Sequence, residues 1–325
     1  MNMNKKICLN CGKCGHHQRQ CSEPINSYGI ICFTICPSLG INNKHIEHFF
    51  YNKYLDISEF NYSNLNNIKL IPYFYDKIKI LMIRRKNSMN YIEFIRGKYD
   101  INQKEHIFKL LQLMTQDENI KIKNINFDEL WNELWNKTAT SKIYQKEYNA
   151  SKNKFNQLKE NNFYGFFDDQ LSKYKEAEWG FPKGRRAYSE FSVNNKSYWP
   201  EKNIHCALRE FCEETSIDLS NLHILERLTC LEEEYIGTNL INYKHIYYLA
   251  STETELELNL DNNYQLTEIG DIGWFTILEA IEKTRPYYEI RIKLIYQLYF
   301  FIINLVSDIL KNTPNNLFLN LESVT

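Results

Sequence analysis

The segment Glu201–Ile217 limits the possible folds of this chain more than any other part of its sequence. Its apolar residues recur at the i, i+3, i+4, i+7 spacing of a helix with one buried face: Ile204, Ala207, Leu208 and Phe211. At about 100° per residue, three glutamates fall on a single adjacent sector of that helix: Glu210, Glu213 and Glu214. The helix therefore has to pack against a core on one side and present carboxylates on the other.

Three carboxylates this close together repel one another, because like charges one turn apart destabilise a helix. A divalent cation removes the repulsion, and hard oxygen ligands suit Mg²⁺ or Mn²⁺. The alternative is an ordinary solvated acidic face. The run Arg209-Glu-x-x-Glu-Glu arises by chance only on the order of 10⁻⁵ times per position. We therefore predict that Glu210, Glu213 and Glu214 bind a catalytic metal.

The first 24 residues contain a second set of candidate ligands, spaced as a single tetrahedral zinc accepts: Cys8, Cys11, His16 and Cys21. Gly12 and Gly15 stand where the chain has to turn around the ion. Cys14 and His17 are bystanders in this interpretation, although either has the chemistry to replace a ligand. So short a segment has no core, so zinc is expected to supply its folding free energy. The pattern resembles the CCHC zinc knuckle, a family that often binds single-stranded RNA.

The order of strand and helix patterns predicts an α/β domain that is interrupted. Strands are expected at Tyr28–Phe33 and Lys79–Ile83, helical spacing dominates 101–172, and mixed α/β patterns return after Trp179. Three separate domains in sequence would leave the first two strands without a sheet, and an isolated strand pair is marginally stable at best. We predict four regions: a knuckle at 1–24, a first part of the domain at 25–100, a helical insertion at 101–172, and a second part at 173–325.

Further elements are expected within these regions. Strands are predicted at Leu70–Tyr75, 226–231, 243–250 and 269–275. Helices are predicted at 201–215, 276–284 and 287–310. The most apolar stretch, Leu294–Val306, is broken by polar residues and is expected to be a buried helix, not a membrane span.

Composition excludes several functional classes. The chain has 325 residues, with 39 Lys plus Arg against 40 Asp plus Glu, so it is not a globally basic nucleic-acid coat. Nine cysteines without an export signal indicate reduced thiols and metal binding, and hence the cytoplasm.

The acidic helix resembles the Nudix box, Gly-x5-Glu-x7-Arg-Glu-U-x-Glu-Glu-x-Gly-U, in which U is aliphatic or aromatic. The resemblance implies an α/β/α sandwich with a mixed sheet, and an ion pair between Arg209 and Glu201 that braces the preceding loop. Two features depart from the pattern: Ser216 replaces the last glycine, and 16 residues instead of five separate Gly184 from Glu201. Glu190 keeps the spacing from Gly184, but only Glu201 keeps the spacing to Arg209.

Upstream, Glu178-Trp-Gly-Phe-Pro-Lys-Gly-Arg-Arg186 resembles the signature of mRNA-decapping Nudix hydrolases. The resemblance implies that three cations contact phosphates: Lys183, Arg185 and Arg186. The segments Tyr28–Phe33, Ile83–Ser88 and Phe94–Tyr99 resemble decapping proteins of large cytoplasmic DNA viruses, whose Nudix domain is split by a helical insertion. Thr267–Phe275 resembles a loop that brings a further glutamate to the metals, which makes Glu268 the candidate.

This resemblance implies hydrolysis of the 5′ cap of RNA, releasing 7-methyl-GDP and 5′-monophosphate RNA. Either Glu214 or Glu268 is the general base. The partner is capped RNA and not a membrane, and a viral protein of this kind would act in the host cytoplasm; the oligomeric state is open. Zinc removal should unfold residues 8–21 but leave hydrolysis of short caps largely intact.

Two alternative functions are compatible with this sequence. One is an enzyme of the same fold that hydrolyses diphosphoinositol polyphosphates or dinucleoside polyphosphates, for which a zinc knuckle has little use. The other is a non-catalytic RNA-binding protein with a Nudix fold. The presence of all three carboxylates in the box argues against loss of catalysis.

Overall fold

The computed structural model describes residues 7–60, 72–135, 142–161, 171–191, 197–237, 239–260 and 267–312. The chain divides into two compact units. The first consists of Met1–Ile83, Trp179–Gln265 and Ile272–Thr325, and the second of Arg84–Glu178 and Leu266–Asp271. The first unit is therefore discontinuous in sequence. The limits predicted above for the four regions stay predictions.

The described residues form the following strands and helices. The strands are β1 (Ile25–Ile35), β2 (Ile78–Arg85), β3 (Trp179–Gly180), β4 (Lys183–Gly184), β5 (Tyr188–Phe191), β6 (Ser197–Pro200), β7 (His223–Ile224), β8 (Leu231–Ile236), β9 (Asn242–Thr252) and β10 (Ile269–Thr276). The helices are α1 (Asn43–Phe49), α2 (Met89–Ile95), α3 (Lys104–Leu113), α4 (Gln116–Asn124), α5 (Phe127–Trp135), α6 (Lys142–Glu160), α7 (Asn203–Thr215), α8 (Ile277–Lys283) and α9 (Glu289–Asn312).

A mixed sheet forms the centre of the first unit. Over the described ranges it has eight strands, with the path β10-β2-β1-β9-β7 and with β3, β4 and β8 paired to β2, β1 and β9. β1 and β9 are parallel, from Ile25 opposite Tyr243 to Thr34 opposite Thr252. β4 and β8 pair antiparallel with these two strands, and β5 and β6 make a separate hairpin.

Helices cover both faces of this sheet, because successive residues of a strand point to opposite sides. On one face Ile30 and Cys32 of β1 pack in the same cluster as Ala207 and Phe211 of α7. On the other, Ile31 packs in a second cluster with the long helix α9. The first unit is thus the α/β/α sandwich with a mixed sheet that the sequence predicts.

The second unit contains α2 to α6, with the helical spacing expected of 101–172. It has its own core, which includes Phe94, Leu110, Leu130 and Phe155. A buried carboxylate ties two of its helices together: Glu118 of α4 accepts hydrogen bonds from the Ser88 amide and hydroxyl, at 2.7 and 2.6 Å, at the start of α2.

The structure corrects two predicted elements. The strand expected at 226–231 begins only at Leu231, as β8. The strand expected at Leu70–Tyr75 is a short 3₁₀ helix at Pro72–Phe74, and residues 70 and 71 lie outside the described ranges. The apolar helix α9 is long and apolar enough to cross a membrane, but 61% of its most apolar window is buried inside the protein. It is a core helix, as predicted.

Candidate active site and zinc centre

The acidic helix α7 is held by its buried face. Cys206, Ala207 and Phe211 are completely buried, and Ile204 and Leu208 pack partly buried against the same cluster. The helix ends at Thr215, and Ser216 follows with φ 58° and ψ 13°. This left-handed conformation is the one that favours glycine, so Ser216 occupies a glycine position at a conformational cost.

The loop before α7 is fixed by two glycines that allow close approaches. A Cβ atom on Gly29 of β1 would lie 2.2 Å from the Pro182 carbonyl oxygen. One on Gly184 would lie 2.0 to 2.2 Å from the carboxylate of Glu210. The Lys183 amide also donates a 2.8 Å hydrogen bond to Glu214. The loop backbone therefore lies directly against two of the three carboxylates.

The Arg209 guanidinium connects the glutamates of the site. Its Nη1 lies 2.7 Å from Glu210 Oε1 and 3.0 Å from Glu213 Oε2, and its Nη2 lies 2.8 Å from Glu201 Oε2. Nη2 also donates to the Arg185 carbonyl oxygen at 3.0 Å. Burial raises the pKa of Glu201, but the hydrogen bonds from Arg209 and from the Ala187 amide outweigh it and lower that pKa.

The hairpin of β5 and β6 accounts for the unusual length of the loop. Its strands pair from Tyr188 opposite Pro200 to Phe191 opposite Ser197. At its base the Ala187 amide donates to Glu201 Oε2 at 2.6 Å, and the Glu201 amide donates to the Ala187 carbonyl at 3.0 Å. Ala187 and Glu201, the residues on either side of the hairpin, are therefore adjacent, and the hairpin extends the loop without changing the path of the rest. Glu201, and not Glu190 in the hairpin, is the glutamate joined to Arg209.

The cations predicted to contact phosphate lie in different environments. The Arg185 side chain is exposed at the loop surface. The Cβ of Lys183 lies beside Gly29, on the opposite face of the sheet from Glu210. The Arg186 guanidinium lies 5.3 Å above the ring of Tyr28 and donates a hydrogen bond to the carbonyl of Asn10. The contacts of Arg186 are therefore with β1 and the zinc centre.

The predicted zinc ligands are assembled at the N-terminus. One ligand atom from each of Cys8, Cys11, His16 and Cys21 lies within 4.8 Å of all the others. Asn10 Nδ2 donates to Cys21 Sγ at 3.3 Å. Burial raises the pKa of Cys21, but hydrogen bonds from Asn10 and His16 lower it to about 6. The two alternative ligands, Cys14 and His17, are both exposed.

Comparisons with known proteins place the chain in a family. A model of the NUDIX domain matches residues 168–298. A candidate mRNA-decapping protein of Acanthamoeba polyphaga mimivirus is 35% identical over an alignment of 366 positions, covering 95% of this chain and 98% of the relative. This chain is a Nudix protein of the viral mRNA-decapping type. The mRNA-decapping protein g5R of African swine fever virus is 29% identical over 61% of this chain and 78% of its own length.

Among solved structures, an Ap4A hydrolase of C. elegans in a binary complex covers 41% of this chain and 82% of its own. It is 20% identical, with a TM-score of 0.30. The family assignment rests on the sequence relatives.

Nudix hydrolases use divalent metals, and the chemistry of the acidic face fits such an ion. Glu201, Glu210 and Glu213 share the single positive charge of Arg209, and Glu214 accepts from a backbone amide, so negative charge is in excess. Carboxylate oxygens are the donors that Mg²⁺ and Mn²⁺ prefer. Over the described ranges the Cys/His set is the one group of three or more metal-ligating side chains that is assembled, and the three box glutamates do not form such a group. Glu210 and Glu213 both accept from Arg209 Nη1, so a cation bound there would compete with this guanidinium for their oxygens.

Glu268 belongs to the second unit. It is exposed, and its carbonyl oxygen accepts a 2.8 Å hydrogen bond from the Lys86 amide. Its contribution to the Nudix metals stays a prediction, and the choice of general base between Glu214 and Glu268 stays open.

This Nudix domain also contains a buried cluster of charged residues that the sequence analysis does not predict. Glu233 of β8 is 1% exposed and pairs with Arg291 of α9, whose Nη2 lies 3.1 Å from Glu233 Oε1. His245 Nδ1 lies 3.4 Å from Glu233 Oε2, and Arg291 Nη1 donates to the Trp179 carbonyl at 3.0 Å. Burial raises the pKa of Glu233, but Arg291 and His245 lower it to about 2. Nothing local in the sequence distinguishes Arg291 from the other charged residues of this helix, such as Lys293 and Asp308.

Proposed function

We propose that this chain hydrolyses the 5′ cap of mRNA and releases 7-methyl-GDP and 5′-monophosphate RNA. The observation that carries the proposal is the loop of the decapping signature, whose Gly184 lies against the carboxylate of Glu210 and whose Lys183 amide binds Glu214. A substrate phosphate held by this loop is thereby next to the acidic face of α7. The similarity to the mimivirus protein over 95% of this chain, and to the decapping protein g5R over 61% of it, supports the same substrate.

The residues divide into holding and bracing groups. Glu210, Glu213 and Glu214 would hold Mg²⁺ or Mn²⁺ through hard oxygen atoms. Such an ion lowers the pKa of a bound water and neutralises charge on the leaving diphosphate. Glu201 and Arg209 brace the loop against α7, as their 2.8 Å contact indicates. We assign the phosphate contact to Arg185, whose side chain is exposed at the loop surface, because the Lys183 side chain lies on the opposite face of the sheet from Glu210.

The second unit offers a surface for the body of the RNA. It contains a cavity of about 470 Å³ lined by four cations and one carboxylate: Arg96, Lys98, Lys146, Lys154 and Glu147. Glu147 lies 2.7 Å from Arg96 and 3.2 Å from Lys98, so it neutralises part of the charge and the rest stays positive. Binding through phosphate contacts of this kind weakens as salt increases.

We further propose that zinc holds residues 8–21 in their fold through Cys8, Cys11, His16 and Cys21. The site of action is the host cytoplasm, where viral decapping enzymes meet mRNA.

The test uses the full-length protein, cap-labelled RNA, and Mg²⁺ or Mn²⁺, with a diphosphoinositol polyphosphate in parallel. The expected labelled product is 7-methyl-GDP. The variant Glu214→Gln should lower kcat by about 10² to 10⁴-fold, as expected for a metal ligand or general base. The matched control Glu226→Gln changes an exposed glutamate of the same unit and should retain full activity. Turnover of the inositol compound without release of 7-methyl-GDP contradicts decapping.

A further inference from the structure

One guanidinium belongs to both the zinc centre and the catalytic loop. Arg186 follows Gly184 by two residues, and its Nη2 donates a hydrogen bond to the carbonyl oxygen of Asn10. The approach is close, because a Cβ atom on Gly12 would lie 3.1 Å from Arg186 Nη1. The ring of Tyr28 lies beneath the same guanidinium, 5.3 Å from it. Arg186 is therefore enclosed by the zinc centre and β1.

The acceptor of this hydrogen bond is held by the zinc centre itself. Asn10 stands between two of the cysteine ligands, and its Nδ2 donates to Cys21 Sγ at 3.3 Å and to the Pro24 carbonyl at 2.8 Å. The Asn26 amide donates to Asn10 Oδ1 at 2.8 Å. The position of the Asn10 carbonyl thus depends on the closed arrangement of Cys8, Cys11, His16 and Cys21. A segment of this length keeps such an arrangement only with its metal.

On its other side, Arg186 is part of the loop that contacts Glu201, Glu210 and Glu214 directly and Glu213 through Arg209. The Lys183 amide binds Glu214, and Gly184 lies against Glu210. The Arg185 carbonyl accepts from Arg209, which also bonds to Glu213. The Ala187 amide binds Glu201. A displacement at Arg186 would therefore move the backbone that orients the acidic residues.

We propose that Arg186 is a positioning residue that links the zinc centre to the catalytic loop, so that loss of zinc lowers cap hydrolysis even when the substrate is too short to reach the knuckle. This inference rests on the proposed decapping function. It replaces the expectation that zinc removal leaves the hydrolysis of short caps largely intact. It also moves Arg186 from phosphate binding to support of the loop.

The experiment compares four full-length proteins on the cap dinucleotide 7-methyl-GpppG with excess Mg²⁺: wild type, His16→Ala, Arg186→Ala and the double variant. Each single change should lower kcat on the order of 10²-fold with little change in KM, because small misplacements of reacting groups cost that much. The double variant should be no slower than the slower single variant, because both changes break one connection. The proposal would be overturned if the loss of kcat in the double variant equalled the product of the two single losses. An unchanged kcat in His16→Ala would overturn it as well.

Two further measurements separate positioning from direct phosphate binding. Arg186→Lys keeps the charge but loses the planar group over Tyr28, so kcat should stay low; restored kcat with altered KM would indicate a phosphate contact. Amide hydrogen exchange at residues 183–187 should accelerate in both single variants, and unchanged exchange rates contradict the link. The control Arg19→Ala changes an exposed arginine of the knuckle and should affect neither quantity. If wild type hydrolyses no cap, the decapping function fails, whereas the exchange measurement still tests the link.

Discussion

Two arginines on opposite faces of the same sheet show how burial changes what an ion pair does. Arg209, on the α7 face, has a side chain 31% exposed and shares its guanidinium among three glutamates. Arg291, on the α9 face, is 6% exposed and pairs with Glu233, which is 1% exposed. Both arginines also donate to a backbone carbonyl. The residue types are the same, but their surroundings are not.

The buried pair is shielded from water, and besides each other its two charges have neutral hydrogen-bond partners such as the Trp179 carbonyl and His245 close by. Separating Glu233 from Arg291 would leave a charge in a low-dielectric interior, which costs several kcal/mol. On the α7 face, water screens the charges and exposed pairs contribute little to stability. Arg209 can therefore give up one carboxylate to a cation at small cost. The ion pair on the α9 face therefore stabilises the folded state, whereas the carboxylates on the α7 face can exchange Arg209 for a metal ion.

The largest expected effect tests this difference in stability. Arg291→Met should lower the free energy of unfolding by about 3 to 5 kcal/mol, because it leaves Glu233 buried without its cation. Arg209→Met should lower it by less than Arg291→Met does, because Arg209 is partly exposed and water can reach its carboxylates, but should reduce cap hydrolysis. Urea unfolding and initial rates measure the two quantities.

The double variant Arg291→Met with Glu233→Leu provides the matched control for this prediction. It removes both charges and should recover much of the lost stability, because apolar residues often replace a buried ion pair without loss. Equal destabilisation by Arg209→Met and Arg291→Met would refute the proposed difference between the two faces.

The next effect concerns activity and the close contact at Gly184. Gly184→Ala places a methyl group where the Glu210 carboxylate lies, so Glu210 has to move. We expect cap hydrolysis to fall on the order of 10²-fold, as for other small displacements of reacting groups. The control Gly40→Ala meets no atom within 4 Å, although its φ of +66° carries strain. It should lower stability and leave hydrolysis unchanged; an active Gly184→Ala variant would mean that the loop does not orient Glu210.

A third prediction concerns the pH dependence of the buried cluster. Burial, with the nearby charge of Lys183, lowers the pKa of His245 from 6.5 to about 4, although Glu233 opposes the shift. Between those values the unfolded chain binds a proton that the folded chain does not, so stability increases with pH. The contribution of His245 should be lost as pH falls from 6.5 to about 4, with a slope of at most about 1.4 kcal/mol per pH unit.

Unfolding curves at several pH values measure this contribution. His245→Gln removes the titrating group and should flatten the slope in that window. The loss below pH 4.5 should remain in the variant, because the pKa of Glu233 is lowered to about 2 in the folded state. A wild-type slope identical to that of the variant would show that His245 is not held neutral.

The same two faces show what the sequence can and cannot predict. Helix α7 and the four zinc ligands follow from spacing along a continuous segment, and the ion pair between Arg209 and Glu201 is implied by the resemblance of that segment to the Nudix box. These features depend on neighbours within about two dozen residues, which a local pattern records. The orientation of the Lys183 side chain, beside Gly29, depends on how β4 pairs with β1, which no local pattern contains.

The position of strand β8 could not be predicted from the local sequence for a related reason. Its segment Leu231–Ile236 contains three consecutive glutamates, and so many charges rarely occupy a central position. Glu233 is nevertheless buried, because Arg291 neutralises it from 58 residues away in the chain. The segment 226–231, whose apolar residues alternate better, lies mostly outside the strand. Local alternation fails where a distant charge makes burial possible.

The smallest expected effect lies at the end of α7. Ser216 has φ 58°, a conformation that costs a non-glycine residue about 1 kcal/mol. Ser216→Gly should therefore raise the free energy of unfolding by about that amount and leave cap hydrolysis unchanged, because the residue lies beyond the acidic face. The matched control is Asn52→Gly: Asn52 has φ 60°, but asparagine adopts this conformation more readily, so the gain should be smaller. Equal gains at the two positions, measured by urea unfolding, would show that the cost is not specific to the serine at the end of the catalytic helix.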